Sequence, residues 1–127
     1  MHIPNELKYA ATHEWARQET DGELTIGITD YAQDLLGDLV FAQLPAVGQN
    51  VAAGEAICVL ESVKTAADVH APVSGVIAAI NTALQDAPEQ VNQDSYAAWL
   101  FRIVPGNAAD FSSLLDAAQY KAAVDAG

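Results

Sequence analysis

Apolar and polar residues alternate over short runs through most of this chain, and only two stretches follow a helical period. Between Leu7 and Thr29, His13, Trp15 and Arg17 alternate with Glu14 and Ala16, and Thr20-Asp21-Gly22-Glu23 precedes a second run, Leu24 to Ile28. Alternation around an Asp-Gly turn predicts an N-terminal hairpin. In Ile28 to Gly37, Thr29 or Asp30 can cap a short helix, Gln33 stands at the capping-box position and Gly37 closes it, with Leu35 and Leu36 expected to face inward. Val40 to Leu44 reads as a strand ended by Pro45. Gly48 and Gly54 mark turns around Val51, and the apolar runs Ala56 to Leu60 and Val76 to Ile80 read as strands flanking a more polar segment that contains Lys64.

Downstream, His70 to Gly75 reads as a turn, Gln85 to Asp94 as a loop with one helical turn, and Trp99 to Val104 as a strand stopped by Pro105-Gly106. Ala109 to Ala126 is expected to be one helix. Phe111, Leu114, Leu115 and Ala118 at i, i+3, i+4 and i+7 would dock it on the β core, with its Ala-rich end fraying at Gly127. The segment before Lys64 weakly echoes the one after it. The expectation is therefore an all-β-dominated fold of two similar layers, a flattened barrel or sandwich with short peripheral helices. At 127 residues a single domain spanning the chain can bury roughly two thirds of its unfolded surface without disulfide or metal.

Charge narrows the possible partners. Seventeen carboxylates against five basic residues leave a net charge of −12, which repels phosphate backbones and anionic lipid, so nucleic-acid and membrane-surface roles are disfavoured. No apolar run approaches the ~18 residues a span requires. The N-terminus lacks the basic start and apolar core of a secretory signal. The one cysteine, Cys58, lies between Ile57 and Val59 and reads as a small buried hydrophobe in a reducing compartment.

Self-sufficient catalysis finds little support. The chain has no GxSxG, no Gly-rich phosphate loop, no HExxH and no Cys/His ligand set, and His2, His13 and His70 lack metal-ligand spacing. Lys64, one of only three lysines, stands out by position, since a strand–turn–strand reading puts it at the reversal, where its ammonium reaches furthest from the body. Such a lysine is either an ordinary solvated charge or a point of attachment. Catalytic lysines are usually buried, whereas Lys64 sits in a polar turn near Glu61 and Asp68. It is a poor Schiff-base nucleophile but an accessible substrate for an acylating enzyme, and amide formation would lengthen it into an arm.

Glu61 to Ile77, ESVKTAADVHAPVSGVI, resembles the lipoyl-lysine segment of the glycine cleavage system H-protein family. The likeness continues collinearly through Thr12-His13-Glu14-Trp15, Gly27 to Asp38, Leu44 to Val51 and Trp99 to Ile103, and covers Leu7 to about Tyr120. Val63 and Thr65 fit neither the methionine-flanked lysine of biotin carriers nor the Asp and Ala of 2-oxo-acid dehydrogenase lipoyl domains.

The resemblance implies a hybrid barrel-sandwich fold and a non-catalytic carrier, with lipoate amide-linked to Lys64. That arm would take an aminomethyl group from glycine decarboxylase to a tetrahydrofolate-dependent aminomethyltransferase, and dihydrolipoamide dehydrogenase would reoxidise it; a lipoate-attaching enzyme would load it. It also implies a surface cleft for the loaded arm, with Glu14 and Asp68 as carboxylate partners of the amine and Thr12 as a hydroxyl partner, against plain strand solvation as the alternative for the carboxylates. A monomer in a bacterial cytoplasm is expected, or in a mitochondrial matrix for a processed organellar form. The rival readings are an H-like lipoyl relay or redox-linked scaffold without glycine turnover, an unmodified interaction module, and an enzyme with Lys64 as nucleophile. One departure is local: Ser95-Tyr96-Ala97-Ala98-Trp99 replaces the family's usual Pro-Tyr-Gly-like step, so a less tightly turned loop is expected there.

Overall fold

The computed structural model describes residues 1–127. Nine strands form two antiparallel sheets. The larger has the order β1-β2-β3-β9-β8-β5 and the smaller β4-β6-β7. Their ranges are β1 Lys8–Tyr9, β2 Glu14–Gln18, β3 Leu24–Ile28, β4 Leu39–Gln43, β5 Asn50–Val51, β6 Ala56–Ser62, β7 Ala66–His70, β8 Gly75–Ile80 and β9 Phe101–Pro105. Helices α1 (Asp30–Leu36), α2 (Ala83–Asp86), α3 (Gln90–Gln93) and α4 (Ala117–Ala126) lie at the periphery, with a 3₁₀ turn over Ala108–Ser113. The β-dominated two-layer expectation holds, as a sandwich rather than a closed barrel.

The main core fills the space between the sheets. Ile26, Ile28, Ile77, Phe101 and Ile103 of the larger sheet share one buried cluster with Ala42, Cys58, Leu60 and Val69 of the smaller, closed by Leu84 of α2 and Val91 of α3. Burial pushes the Cys58 thiol up to about 12, with Glu14 adding to the shift, so it packs as an inert hydrophobe. A second cluster of Leu7, Tyr9, Trp15, Ala117 and Tyr120 covers the opposite face of β1 and β2. Covered on both faces, Glu14, Trp15 and Ala16 are all buried in succession, and the inside–outside alternation read from the sequence stops at β2.

Four local expectations change. Leu36 is buried, but Leu35 is 57% exposed, because a seven-residue helix on the sheet buries a narrow stripe. Thr29, not Asp30, caps α1, accepting the Ala32 N–H, and Gln33 turns to Asp30 and Asn92 instead of closing a capping box. The long C-terminal helix is broken: Leu115 leaves it to exchange backbone hydrogen bonds with Tyr9 at 2.8 Å in both directions, and Asp116 starts α4 with a full capping box. At 94–99 the chain is not loose, since the Ala97 and Ala98 N–H groups both donate to Asp94 O.

Candidate functional site

The strand returning from Lys64 is β7, Ala66–His70, not the Val76–Ile80 run that the apolar pattern marked. Ala-Ala-Asp-Val-His lacks a β signature of its own and becomes a strand by pairing with β6, Glu61 opposite Ala66 through Ala56 opposite His70. Ser62, a residue the sequence reading passed over, builds the reversal. Its N–H donates to Thr65 O at 2.7 Å, and its Oγ accepts the N–H of Lys64 at 3.2 Å and of Thr65 at 3.1 Å. A serine at the first position of a four-residue turn is the signal that marks it. The Val63 N–H donates to Asp38 O at 3.2 Å and ties the tip to the connection after α1.

Lys64 is exposed at this tip and makes no ion pair. Its side chain lies over Gly37, where an added Cβ would stand 2.9 Å from Lys64 Cε. Gly37 has φ 82° and ψ −161°, a region essentially confined to glycine, so that residue both ends α1 and makes room for the lysine. Glu61 and Asp68 form no ion pair with it.

A cleft of about 150 Å³ runs between α1 and β7. Ile28, Ala32, Leu35, Leu36 and Leu60 give it an apolar lining, and Thr12, His13, Glu14 and Asp68 supply its polar groups. The structure therefore brings Thr12, Glu14 and Asp68 to one cleft. Asp68 is exposed. Glu14 is not solvated at all: its side chain is 1% exposed. The Thr12 hydroxyl donates to Glu14 Oε1, the His70 N–H donates to Oε2 at 2.9 Å, and His70 Nδ1 stands 3.3 Å from the same oxygen. Burial raises the Glu14 carboxyl above its ordinary range, with the His70 and Thr12 hydrogen bonds opposing. His70 was read as part of a turn; the structure makes it a partner of the buried carboxylate. The loop at 95–99 does not line the cleft.

These features form one unit, an exposed lysine on a hydrogen-bonded tip beside an apolar cleft that ends on a buried carboxylate. The glycine cleavage H-protein family model matches residues 7–126. The chain belongs to the glycine cleavage H-protein family. Glycine cleavage system H proteins of Azoarcus sp. and Thiobacillus denitrificans are 59% identical over 118 residues and 56% over 125, covering 93% and 98% of this chain and 93% and 97% of theirs. A crystal structure of a glycine cleavage system H protein from Mycobacterium marinum superposes with a TM-score of 0.87 at 41% identity, covering 97% of this chain and 99% of that one. No helix of the structure is long and apolar enough to cross a membrane.

His13, on the cleft wall, gives a pH prediction. Burial lowers its imidazole below the ordinary 6.5. A depressed native value means that its contribution to stability is complete above the unfolded value and is lost as pH falls through the native one. Melting temperatures of the wild type and His13→Asn are expected to diverge between about pH 8 and pH 5, the wild type losing more on acidification. Parallel curves would show that the ring titrates alike in both states.

Proposed function

We propose that this chain is the lipoyl carrier of glycine cleavage, holding lipoate as an amide on Lys64 and moving an aminomethyl group from glycine decarboxylase to aminomethyltransferase. The observation that carries the reading is Lys64, exposed and unpaired on a hydrogen-bonded tip beside an apolar cleft. Bound lipoate supplies a disulfide that accepts a one-carbon amine together with two electrons and is reoxidised afterwards, the last step falling to dihydrolipoamide dehydrogenase. The chain's own residues orient and shield. Ile28, Leu35, Leu36 and Leu60 offer an apolar bed to a hydrocarbon arm. Thr12, Glu14 and Asp68 offer hydrogen bonds and negative charge to an amine that has given up its hydration. From the tip to Asp68 is four strand residues, roughly 13 Å, which places the polar end of the cleft within reach of a long tether. No chemistry is assigned to the chain itself, whose part is non-catalytic; it acts as a monomer in the cytoplasm and receives its arm from a lipoate-attaching enzyme.

Reconstitution tests this. The chain loaded by a lipoate-attaching enzyme is expected to sustain glycine decarboxylation with the three partner enzymes, while the unloaded chain does not; equal rates with both would overturn the reading. In the loaded chain, Glu14→Gln and Asp68→Asn are expected to shorten the lifetime of the aminomethyl cargo about fivefold each. Wild-type lifetimes in both variants would remove these carboxylates from the site.

A further inference from the structure

We propose that His13 is a positioning residue for the Glu14 carboxylate, held in place by Tyr120 of the C-terminal helix; the inference rests on the cleft reading given above. His13 is the one non-glycine residue at positive φ, 79°, a conformation that persists in a side-chain-bearing residue only where its surroundings impose it. Here they do. The His13 N–H donates to Ala10 O at 3.0 Å, and its carbonyl accepts the Thr29 N–H at 3.0 Å. Its ring packs on Tyr31 with centroids 4.9 Å apart and meets Tyr120 edge-on at 5.7 Å. The Tyr120 hydroxyl stands 2.8 Å from His13 Nδ1 and 2.7 Å from Thr29 Oγ1.

Tyr120 is fixed in turn. It is fully buried and stacks on Tyr9 with centroids 4.7 Å apart. Thr29 Oγ1 accepts the Ala32 N–H at 3.2 Å and has only the Tyr120 oxygen to donate to, so the arrangement that satisfies every hydroxyl proton runs from Thr29 to Tyr120 to His13 Nδ1. That leaves the neutral ring protonated on Nε2. Burial raises the Tyr120 phenol to about 12, which keeps it a donor throughout the physiological range.

The consequence falls on the neighbours of His13 in the chain. Thr12 and Glu14 flank it, and their side chains hydrogen-bond across the turn it makes. The left-handed backbone at His13 sets the direction from which the Thr12 hydroxyl meets Glu14. Loss of the Tyr120 hydrogen bond removes one of the restraints that hold residue 13 at positive φ, and the Thr12–Glu14 contact loosens with it. Helix α4, 107 residues away in sequence, contributes nothing to the cleft lining yet holds the corner on which the amine's carboxylate sits.

Tyr120→Phe keeps the ring and its stack and removes the hydroxyl alone. In the lipoylated chain carrying its cargo, Tyr120→Phe and His13→Leu are expected to shorten the cargo lifetime about fivefold. His13→Asn, whose amide oxygen takes over the acceptor role and whose short side chain tolerates positive φ, is expected to recover at least half of it. In the unloaded chain, ¹⁵N spectra of the imidazole are expected to show Nε2–H in the wild type and a tautomer mixture in Tyr120→Phe. Glu14→Gln is measured in parallel. If Glu14→Gln shortens the lifetime while Tyr120→Phe does not, or if the imidazole spectrum of Tyr120→Phe matches the wild type, the positioning role is overturned and the cleft reading stands. If Glu14→Gln leaves the lifetime unchanged, the positioning role falls, and the cleft reading falls with it where Asp68→Asn is unchanged too.

Discussion

Lys64→Arg is expected to abolish lipoyl loading while leaving the fold as stable as the wild type. Intact-mass spectrometry after incubation with a lipoate-attaching enzyme should show one lipoyl adduct on the wild type and none on the variant. The prediction follows from acyl transfer, which needs a neutral amine on a reachable side chain. A guanidinium keeps the charge and most of the length but stays protonated at every usable pH. The other lysines are poorly placed. Lys8 is half-buried in β1, and Lys121 lies along α4 in a 2.7 Å pair with Asp125. Lys64 alone projects from a hairpin. Because it makes no ion pair and is exposed, the substitution should change stability by no more than about 0.5 kcal/mol. An adduct persisting in Lys64→Arg would move the attachment point to another amine. A loss of folding would mean that the contact of Lys64 with Gly37 matters to α1.

The place of Lys64 on an exposed turn was legible because the residues around it are specific in type and order. What shapes its presentation was less so. Strand β7 could not be read from Ala66 to His70, since small and polar residues become a strand only through pairing with β6; the apolar run at 76–80 was taken as the return partner in its place. Glu14 was open to a solvated reading because its neighbours alternate; it is buried because its face of β2 lies against His70 of β7, while α4 takes the Trp15 face. His70 and Tyr120 act through contacts that no local pattern encodes: His70 meets Glu14 from 56 residues away, and Tyr120 meets His13 from 107. The two-layer architecture was accessible because strand alternation and glycine turns are local. The break between the 3₁₀ turn and α4 was hidden, since the apolar spacing of Phe111, Leu114 and Leu115 suits a helix equally well and the pairing of Leu115 with Tyr9 overrides it.

The Gly27→Ala variant is expected to lose a large part of the stability of the sandwich. Gly27 lies directly opposite Trp15 in the β2–β3 pair, and the indole occupies the space over its α-carbon. A Cβ there would come within 2.5 Å of Trp15 Cε2 and 2.6 Å of Cζ2 and Nε1. The indole has no way to retreat. It is fully buried, its N–H donates to Ser95 O at 3.0 Å, and the Arg17 guanidinium lies 5.8 Å from its ring centroid. Forcing it aside costs about 1–3 kcal/mol in overpacking, and a further ~1–3 kcal/mol if the buried Ser95 carbonyl loses its donor. In a chain of this size that lowers the melting temperature by on the order of 10 °C. Gly106→Ala is the matched control, since its Cβ would meet nothing closer than 3.8 Å and its midpoint should stay within about 2 °C of the wild type. The strain also reaches the cleft, because Glu14 precedes Trp15 in β2 and a shift of the indole moves the backbone that carries the buried carboxyl group. Equal midpoints for the two variants would mean that Trp15 can leave Gly27 freely and that this cross-strand contact is softer than its geometry implies.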